Sequence, residues 1–261
     1  MATQPSAASR TLTIAGTEVA RIGLGTNRLT STPENHSLLR EAVEAGLGHV
    51  DTAHVYSGGD SERAIGEALS PKPAGVAIAT KGGYSGRGDP ESLRAQIEQS
   101  LESLRSETID LYYLHRVDPE TPLETSLGMI AEYRDAGRIN EVGISAVDVD
   151  QIEAARRVVP IAAVQNHYNL AERRYDDVVD YCEENDIVFV PYYPLKGDGP
   201  AALREIAEGR DATPSQIALA WLLHRSPAIL PIPGTLSIEH LGENLGALDI
   251  ELSDDEFAAL G

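Results

Sequence analysis

The sequence predicts an α/β fold: a (β/α)8 TIM barrel behind an N-terminal β-hairpin, folded as a single domain over residues 11–261 with a flexible tip at 1–10. Three observations carry this. Short β-rich runs alternate with helical patterns along the chain, and eight such runs can be counted, the strand number of the closed barrel and more than a doubly wound open sheet needs. The length of 261 residues suits one barrel of about 250 residues. No linker, low-complexity segment or long repeat divides the chain.

Each element has its own signal. "RTLTIAGTEVARIGLGT" alternates apolar and polar residues about Ala15 and Gly16, which reads as a hairpin running into a first barrel strand near 21–25. A helix over 33–46 closes on glycine and leads to "HVD". The helix over 60–69 carries Asp60 and Glu62 at its start and leads to "VAIAT". Asp89 before Pro90 opens a helix over 89–105 that leads to "DLYYLH". Helices over 123–137, 148–158 and 171–185 precede "NEVGIS", "IAAVQN" and "IVFVPYY" in turn. Thr213 before Pro214 starts a helix over 213–225 that precedes "AILPIP", and a last helical part begins near 237.

Composition narrows the function classes. Hydrophobic residues make up 42% of the chain, enough for a substantial core, and no apolar run approaches the roughly 20 residues of a membrane span. "MATQPSAASR" lacks the apolar centre of a signal peptide, so a cytoplasmic protein is expected. Cys182 is the one cysteine, which excludes an internal disulfide framework and a cysteine-based zinc site. It reads as a packed helix residue.

Asp and Glu number 41 against 21 Lys and Arg, for a formal net charge of −20 spread along the chain. Nucleic acid and anionic membranes would be repelled. Lysine is confined to Lys72, Lys81 and Lys196. Excess carboxylate with little lysine fits a halophilic protein with an acidic surface, whose self-repulsion is screened in a high-salt cytoplasm; an ordinary acidic protein is the alternative. A monomer is expected.

Barrel chemistry sits at the C-terminal ends of the strands. Reading those ends gives Asp51 after "HV", Lys81 after "VAIAT", His115 after "DLYYL" and Gln165–Asn166 after "IAAV", with Tyr56 in the loop after the second strand. Taken singly, each has a plain structural explanation: a capped turn, a rim residue, a solvated strand end, a satisfied core histidine. Together they place a carboxylate, an ammonium, a phenol and an imidazole at one mouth. A tyrosine beside a lysine is a proton donor tuned down from a free pKa of about 10. Asp51 would hold the ammonium, and His115 would orient a carbonyl oxygen or share the proton. Such a site protonates an oxygen on which negative charge develops, as carbonyl reduction by hydride requires.

These residues and the runs "DTAHVYSGGDSE", "ATKGG", "DLYYLHRVD", "VGIS", "VQNHYN", "YYPL" and "IPGTLSIEHLGENLGAL" resemble the aldo-keto reductase family from the hairpin to the C-terminal helix. Later segments are similar to the branch that contains pyridoxal reductases. The resemblance implies a catalytic tetrad of Asp51, Tyr56, Lys81 and His115, with Tyr56 as general acid and Lys81 and Asp51 lowering its pKa. It also implies an extended nicotinamide dinucleotide across the barrel mouth, with no GxGxxG motif. Tyr192 would stack on the nicotinamide, Ser145 and Gln165 would hold its carboxamide, and Gly25, Thr26 and Asn27 would line the trough. Ala146 stands where the family usually has asparagine.

Gly234, Thr235, His240, Glu243 and Asn244 match the adenosine-binding positions. Members strict for NADPH often carry lysine and arginine where this chain has Gly234 and His240, cations that bind the 2′-phosphate. NADP(H) is the expected cofactor, with NAD(H) or dual use the alternative. The substrate is a small carbonyl compound in a shallow, open pocket, since "RVDPETP" is short and the chain stops at Gly261 soon after its last helix. Two other readings on the same barrel are a nucleotide-binding regulatory subunit and a Schiff-base aldolase or isomerase using Lys81. His49, His54 and His167 form no metal-ligand pattern, and no metal is expected. Arg28 at the mouth either touches the cofactor or an anionic substrate, or is solvated.

Overall fold

The computed structural model describes residues 9–197 and 199–261; the first eight residues of the expected flexible tip lie outside the described residues. Ser9 and Arg10 are tied to the body, Ser9 through its carbonyl to Arg21 (3.1 Å) and Arg10 by an ion pair with Asp249.

β1 (Thr11–Ile14) and β2 (Thr17–Ala20) form the antiparallel hairpin. The two residues between them, Ala15 and Gly16, both take positive φ, as the tight turn that matches strand twist requires. The barrel strands follow: β3 (Leu24–Gly25), β4 (His49–Asp51), β5 (Ala77–Gly82), β6 (Ile109–Leu114), β7 (Ile139–Ser145), β8 (Ile161–Gln165) and β9 (Val188–Phe189). They pair in chain order, each parallel to the next.

The eighth expected strand, "AILPIP", closes the ring without forming a regular strand. Leu230 N–H donates to Phe189 (2.9 Å) and Ile232 N–H to Pro191 (3.4 Å), while Pro231 and Pro233 accept from Gly23 (2.9 Å) and Gly25 (3.3 Å). The two prolines have no N–H, so half of the ladder toward β3 cannot exist. Parallel bridges Phe189↔Ile229 and Gly25↔Gly234 complete the closure.

Helices α1 (Pro33–Glu44), α2 (Asp60–Leu69), α3 (Pro90–Ser103), α4 (Leu123–Asp135), α5 (Val149–Arg156) and α6 (Asp176–Glu184) alternate with the strands. The expected start of α6 near 171 is displaced. Asn169 accepts from the backbone N–H groups of Ala171 (2.9 Å) and Glu172 (3.0 Å), a local turn that competes with helix. α7 (Ala201–Gly209) was not expected; its apolar Leu203, Ile206 and Ala207 pack inward behind Pro200. α8 (Pro214–Arg225), α9 (Ile238–Gly246) and α10 (Asp254–Leu260) complete the chain, α8 with a full capping box from Thr213.

Two apolar layers result. The larger lies between strands and helices and includes Trp221 and Cys182, both fully buried. Burial pushes the Cys182 thiol up, out of the reactive range. The smaller fills the barrel with Ala77, Ala79, Leu111, Tyr113, Ala163, Val190, Leu230 and Ile232, and hairpin residues Ile14 and Val19 join it. The opposite end stays open, at the strand termini.

Candidate active site

Asp51 closes β4 and Lys81 stands in β5, each in the register that the parallel ladder fixes. The Lys81 ammonium lies 2.5 Å from Asp51 Oδ1 and donates to the Thr52 carbonyl at 2.7 Å. Gln165, the last residue of β8, donates its amide to Asp51 Oδ2 at 2.8 Å. Both carboxylate oxygens are therefore engaged. Asp51 and Lys81 are 1% and 0% exposed, and a buried pair of this kind is tolerated only when its hydrogen bonds are complete.

Hydroxyl groups fasten the layer from the side. Thr26 Oγ1 donates to the Asp51 carbonyl (2.8 Å), and Ser61 Oγ bonds both Thr26 Oγ1 (2.8 Å) and Thr52 Oγ1 (2.7 Å). The ends of β3 and β4 are thus locked to the first turn of α2.

Tyr56 reaches this layer because the chain after it turns left-handed. Ser57, Gly58 and Gly59 have φ of 50°, 66° and 95°; the two glycines carry the positive angles at low cost, and Gly59 caps α2. Lys81 Nζ lies 5.1 Å from the Tyr56 ring centroid, and the His115 ring meets Tyr56 edge-on at 5.9 Å. The four residues expected to work together do meet at one place.

Their electrostatics differ from the expectation in one respect. The phenol of Tyr56 is raised above its ordinary value: burial is the largest cause, the Lys81 ammonium pulls it down and Asp51 pushes it up again. The anticipated downward tuning by Lys81 is present but outweighed by desolvation. His115 is held down to about 2, by burial first and then by the positive charges of Lys81 and Arg116. At neutral pH Tyr56 carries its proton and His115 is neutral.

These groups open on a cavity of about 450 Å³. Of the expected cofactor residues, Gly25, Thr26, Asn27, Ser145, Gln165, Tyr192 and Gly234 line it. A Cβ at Gly25 would stand 2.7 Å from the Ile232 carbonyl, so the trough floor must be glycine there. Tyr192 is backed by the nearly parallel His167 ring at 5.5 Å. Ala146, in the family's asparagine position, has φ of 59°.

Thr235, His240, Glu243 and Asn244 lie outside the cavity, beyond the closing segment. Thr235 accepts from Ser237 N–H (3.0 Å), and Ser237 caps α9 by accepting from His240 N–H (3.2 Å). Glu243 is engaged elsewhere, accepting from the Thr213 hydroxyl at the start of α8. Asn244 is buried on α9. Among the described residues no three His, Cys, Asp or Glu side chains gather as metal ligands, and no helix is long and apolar enough to cross a membrane.

Several lining residues were not singled out from sequence: Val55, Ser57, Arg116, Tyr193, Pro194 and Ile232. Arg116 follows His115 directly, and its neighbour's strand-end position was the available signal. Val55, Tyr84 and Tyr193 give the mouth an exposed apolar rim.

Known proteins resemble this chain in sequence and in fold. The sequence profile of the Aldo/keto reductase family matches residues 21–201 and 197–261. An uncharacterised oxidoreductase of Schizosaccharomyces pombe is 38% identical over 93% of this chain and 86% of its own length. The pyridoxine 4-dehydrogenase of Escherichia coli is 34% identical over 97% of both. Among solved structures, a thermostable aldo-keto reductase in complex with the inhibitor epalrestat superposes with a TM-score of 0.87 at 31% identity, covering 96% of this chain and 98% of that one. An aldo-keto reductase of Klebsiella pneumoniae in complex with NADPH gives 0.85 at 29% identity, covering 93% and 90%. With a matching profile over nearly all of the barrel, the chain belongs to the aldo/keto reductase family.

Proposed function

We propose that the chain reduces an aldehyde or ketone to the alcohol with NAD(P)H, Tyr56 serving as general acid. The observation that supports this most directly is the buried Asp51–Lys81 pair beneath a protonated Tyr56, at a cavity shared with neutral His115.

The residues present fit a nicotinamide dinucleotide. The Tyr192 ring offers a stacking surface, and the Ser145 hydroxyl and the Gln165 carbonyl oxygen are polar groups for a carboxamide. Gly25 and Gly234 line the cavity beside the closing segment, and Thr235, His240, Glu243 and Asn244 follow that segment as the residues proposed for the adenosine end. NADP(H) is favoured, as the Klebsiella relatives are solved with NADPH and with NADP. Gly234 and His240 supply no lysine or arginine for a 2′-phosphate, which keeps NAD(H) as the alternative.

The reduced nicotinamide, when bound, supplies a hydride to the carbonyl carbon. Tyr56 gives its proton to the carbonyl oxygen as charge develops there. The phenolate left on Tyr56 is stabilised by the Lys81 ammonium, which Asp51 and the Thr52 carbonyl hold in place. His115, being neutral, orients the carbonyl oxygen without adding a charge. Lys81 has no exposed surface, so it is poorly placed to condense with a carbonyl as an aldolase lysine would.

Fluorescence titration with NADPH and NADH, followed by turnover on a panel of aldehydes, tests the reading. Binding of either nucleotide with turnover is expected; binding of neither would overturn it. The net charge of −20 further supports a salt-rich cytoplasm as the working environment. The melting temperature should rise with KCl up to molar concentration as the Debye length shrinks to about 3 Å; a flat or falling curve would remove that part.

A further inference from the structure

We propose that Arg116 makes this site select carbonyl compounds that bear an anionic group, a carboxylate above all. The inference rests on the reductase reading and concerns its substrate class.

Two permanently charged side chains line the cavity among the described residues, Asp51 and Arg116. Asp51 is neutralised by Lys81, and both of its oxygens are taken. Arg116 has no such partner among the described residues. Its Nη1 donates to the His115 carbonyl (2.9 Å) and to Ser145 Oγ (3.0 Å), and Nη2 lies 3.4 Å from the Tyr192 hydroxyl. All three are neutral oxygens.

The nearest carboxylate in sequence is turned away. Asp118 accepts from Glu120 N–H (3.0 Å), Gly88 N–H (3.1 Å) and the Thr121 hydroxyl (3.0 Å), and so is spent on holding its own loop. Elsewhere Arg63, Arg94, Arg105, Arg138, Arg210 and Arg225 find carboxylates, while Arg28 and Arg40 donate to backbone carbonyls outside the catalytic layer. With Asp51 and Lys81 cancelling and His115 neutral, the described lining keeps one positive charge without a carboxylate beside it.

That charge is partly desolvated. A guanidinium in this state gains from an incoming carboxylate, which it can meet with two parallel N–H groups. Nε and the second N–H of Nη2 have no protein acceptor among the described residues and are left for it. The apolar rim of Val55, Tyr84 and Tyr193 suits a hydrocarbon body between the acid and the aldehyde.

Steady-state kinetics with NADPH on 4-carboxybenzaldehyde and its methyl ester separates this from the general reading. The ester is the more electrophilic aldehyde, so preference for the acid must come from the protein. The expected ratio of kcat/KM, acid over ester, is about 10 to 100, the range of a charge-assisted hydrogen bond, and it should lie mainly in KM. Arg116→Met should bring the ratio to about one or below, and Arg116→Lys should restore part of it. A wild-type ratio of one or less, measured without any variant, would overturn the proposal and leave the reductase standing; so would an unchanged ratio in a folded Arg116→Met protein. Turnover of neither aldehyde would overturn the reductase reading and this inference with it.

Discussion

Around the arc from β4 to β8, neighbouring strands pair by parallel ladders, whereas the seam between β9 and β3 is spanned by a segment in which Pro231 and Pro233 bring no N–H. The arc is held by backbone. The seam has fewer backbone bonds and adds a side chain: Arg21, 1% exposed, donates to the carbonyls of Leu223 (3.0 Å), Ser226 (2.6 Å) and Ile229 (3.3 Å). Burial lowers Arg21 to about 10, so it remains charged at neutral pH.

The two kinds of closure carry different parts of the site. Asp51, Lys81, His115, Ser145 and Gln165 come from the arc, where ladder register sets the strand ends and the paired charges can be placed to within a hydrogen bond. Gly234 and the proposed adenosine residues come from the seam and beyond. Precision of charge placement goes with the ladder, and the close backbone approach of the closing segment to β3 goes with the glycines there.

The largest expected effect lies on the arc. Lys81→Met, combined with Asp51→Asn so that no unpaired buried charge remains, should lower turnover by about 10²–10⁴-fold, the usual weight of proton transfer. Steady-state rates with cofactor binding measured in parallel check this; a loss under about tenfold would show that the buried pair does not serve the chemistry.

The seam should respond in stability. Arg21→Met strips donors from several buried carbonyls, each costing about 1–3 kcal/mol when unsatisfied, and about 2–4 kcal/mol of total loss is expected after local relaxation. Denaturant unfolding measures it. A change under about 1 kcal/mol would mean that the closing segment holds without Arg21.

A smaller effect comes from two buried histidines of the arc, His49 in β4 beside the seam and His115 just after β6. His49, packed against Gly23, is held down to about 4, chiefly by burial, and His115 to about 2. Their folded values lie below the ordinary 6.5, so the unfolded chain takes up these protons first as pH falls. Stability is therefore undiminished above about 6.5 and lost below it, by about 1.4 kcal/mol per pH unit for each ring. The loss from His49 ends near 4 and that from His115 continues lower. Proton NMR of the imidazole rings should show neither titrating between pH 8 and 5; a midpoint near 6.5 would contradict the burial argument for that residue.

Much of the arc was legible in the sequence because strand ends are marked by a change of chemistry: an apolar run that stops at Asp51, Lys81 or His115 announces its own C-terminal end. The hairpin was legible from alternation about Ala15 and Gly16. Three features were not. The direction of the Tyr56 shift depends on how deeply the ring is buried, which no local pattern states. The start of α6 was hidden because Asn169 turns the backbone before helix can begin. Arg116 sits two residues past the end of β6, and only the fold shows Asp118 engaged by its own loop and Arg116 lining the cavity.

The central claim is that Tyr56 delivers the proton, and Tyr56→Phe tests it most directly because the ring stays and only the hydroxyl goes. Single-turnover reduction of an aldehyde should be measured with saturating NADPH, with nucleotide affinity determined by fluorescence on the same protein. Affinity near that of the wild type with reduction slowed by about 10²–10⁴-fold is the predicted result; reduction within a few-fold of wild type would contradict the account.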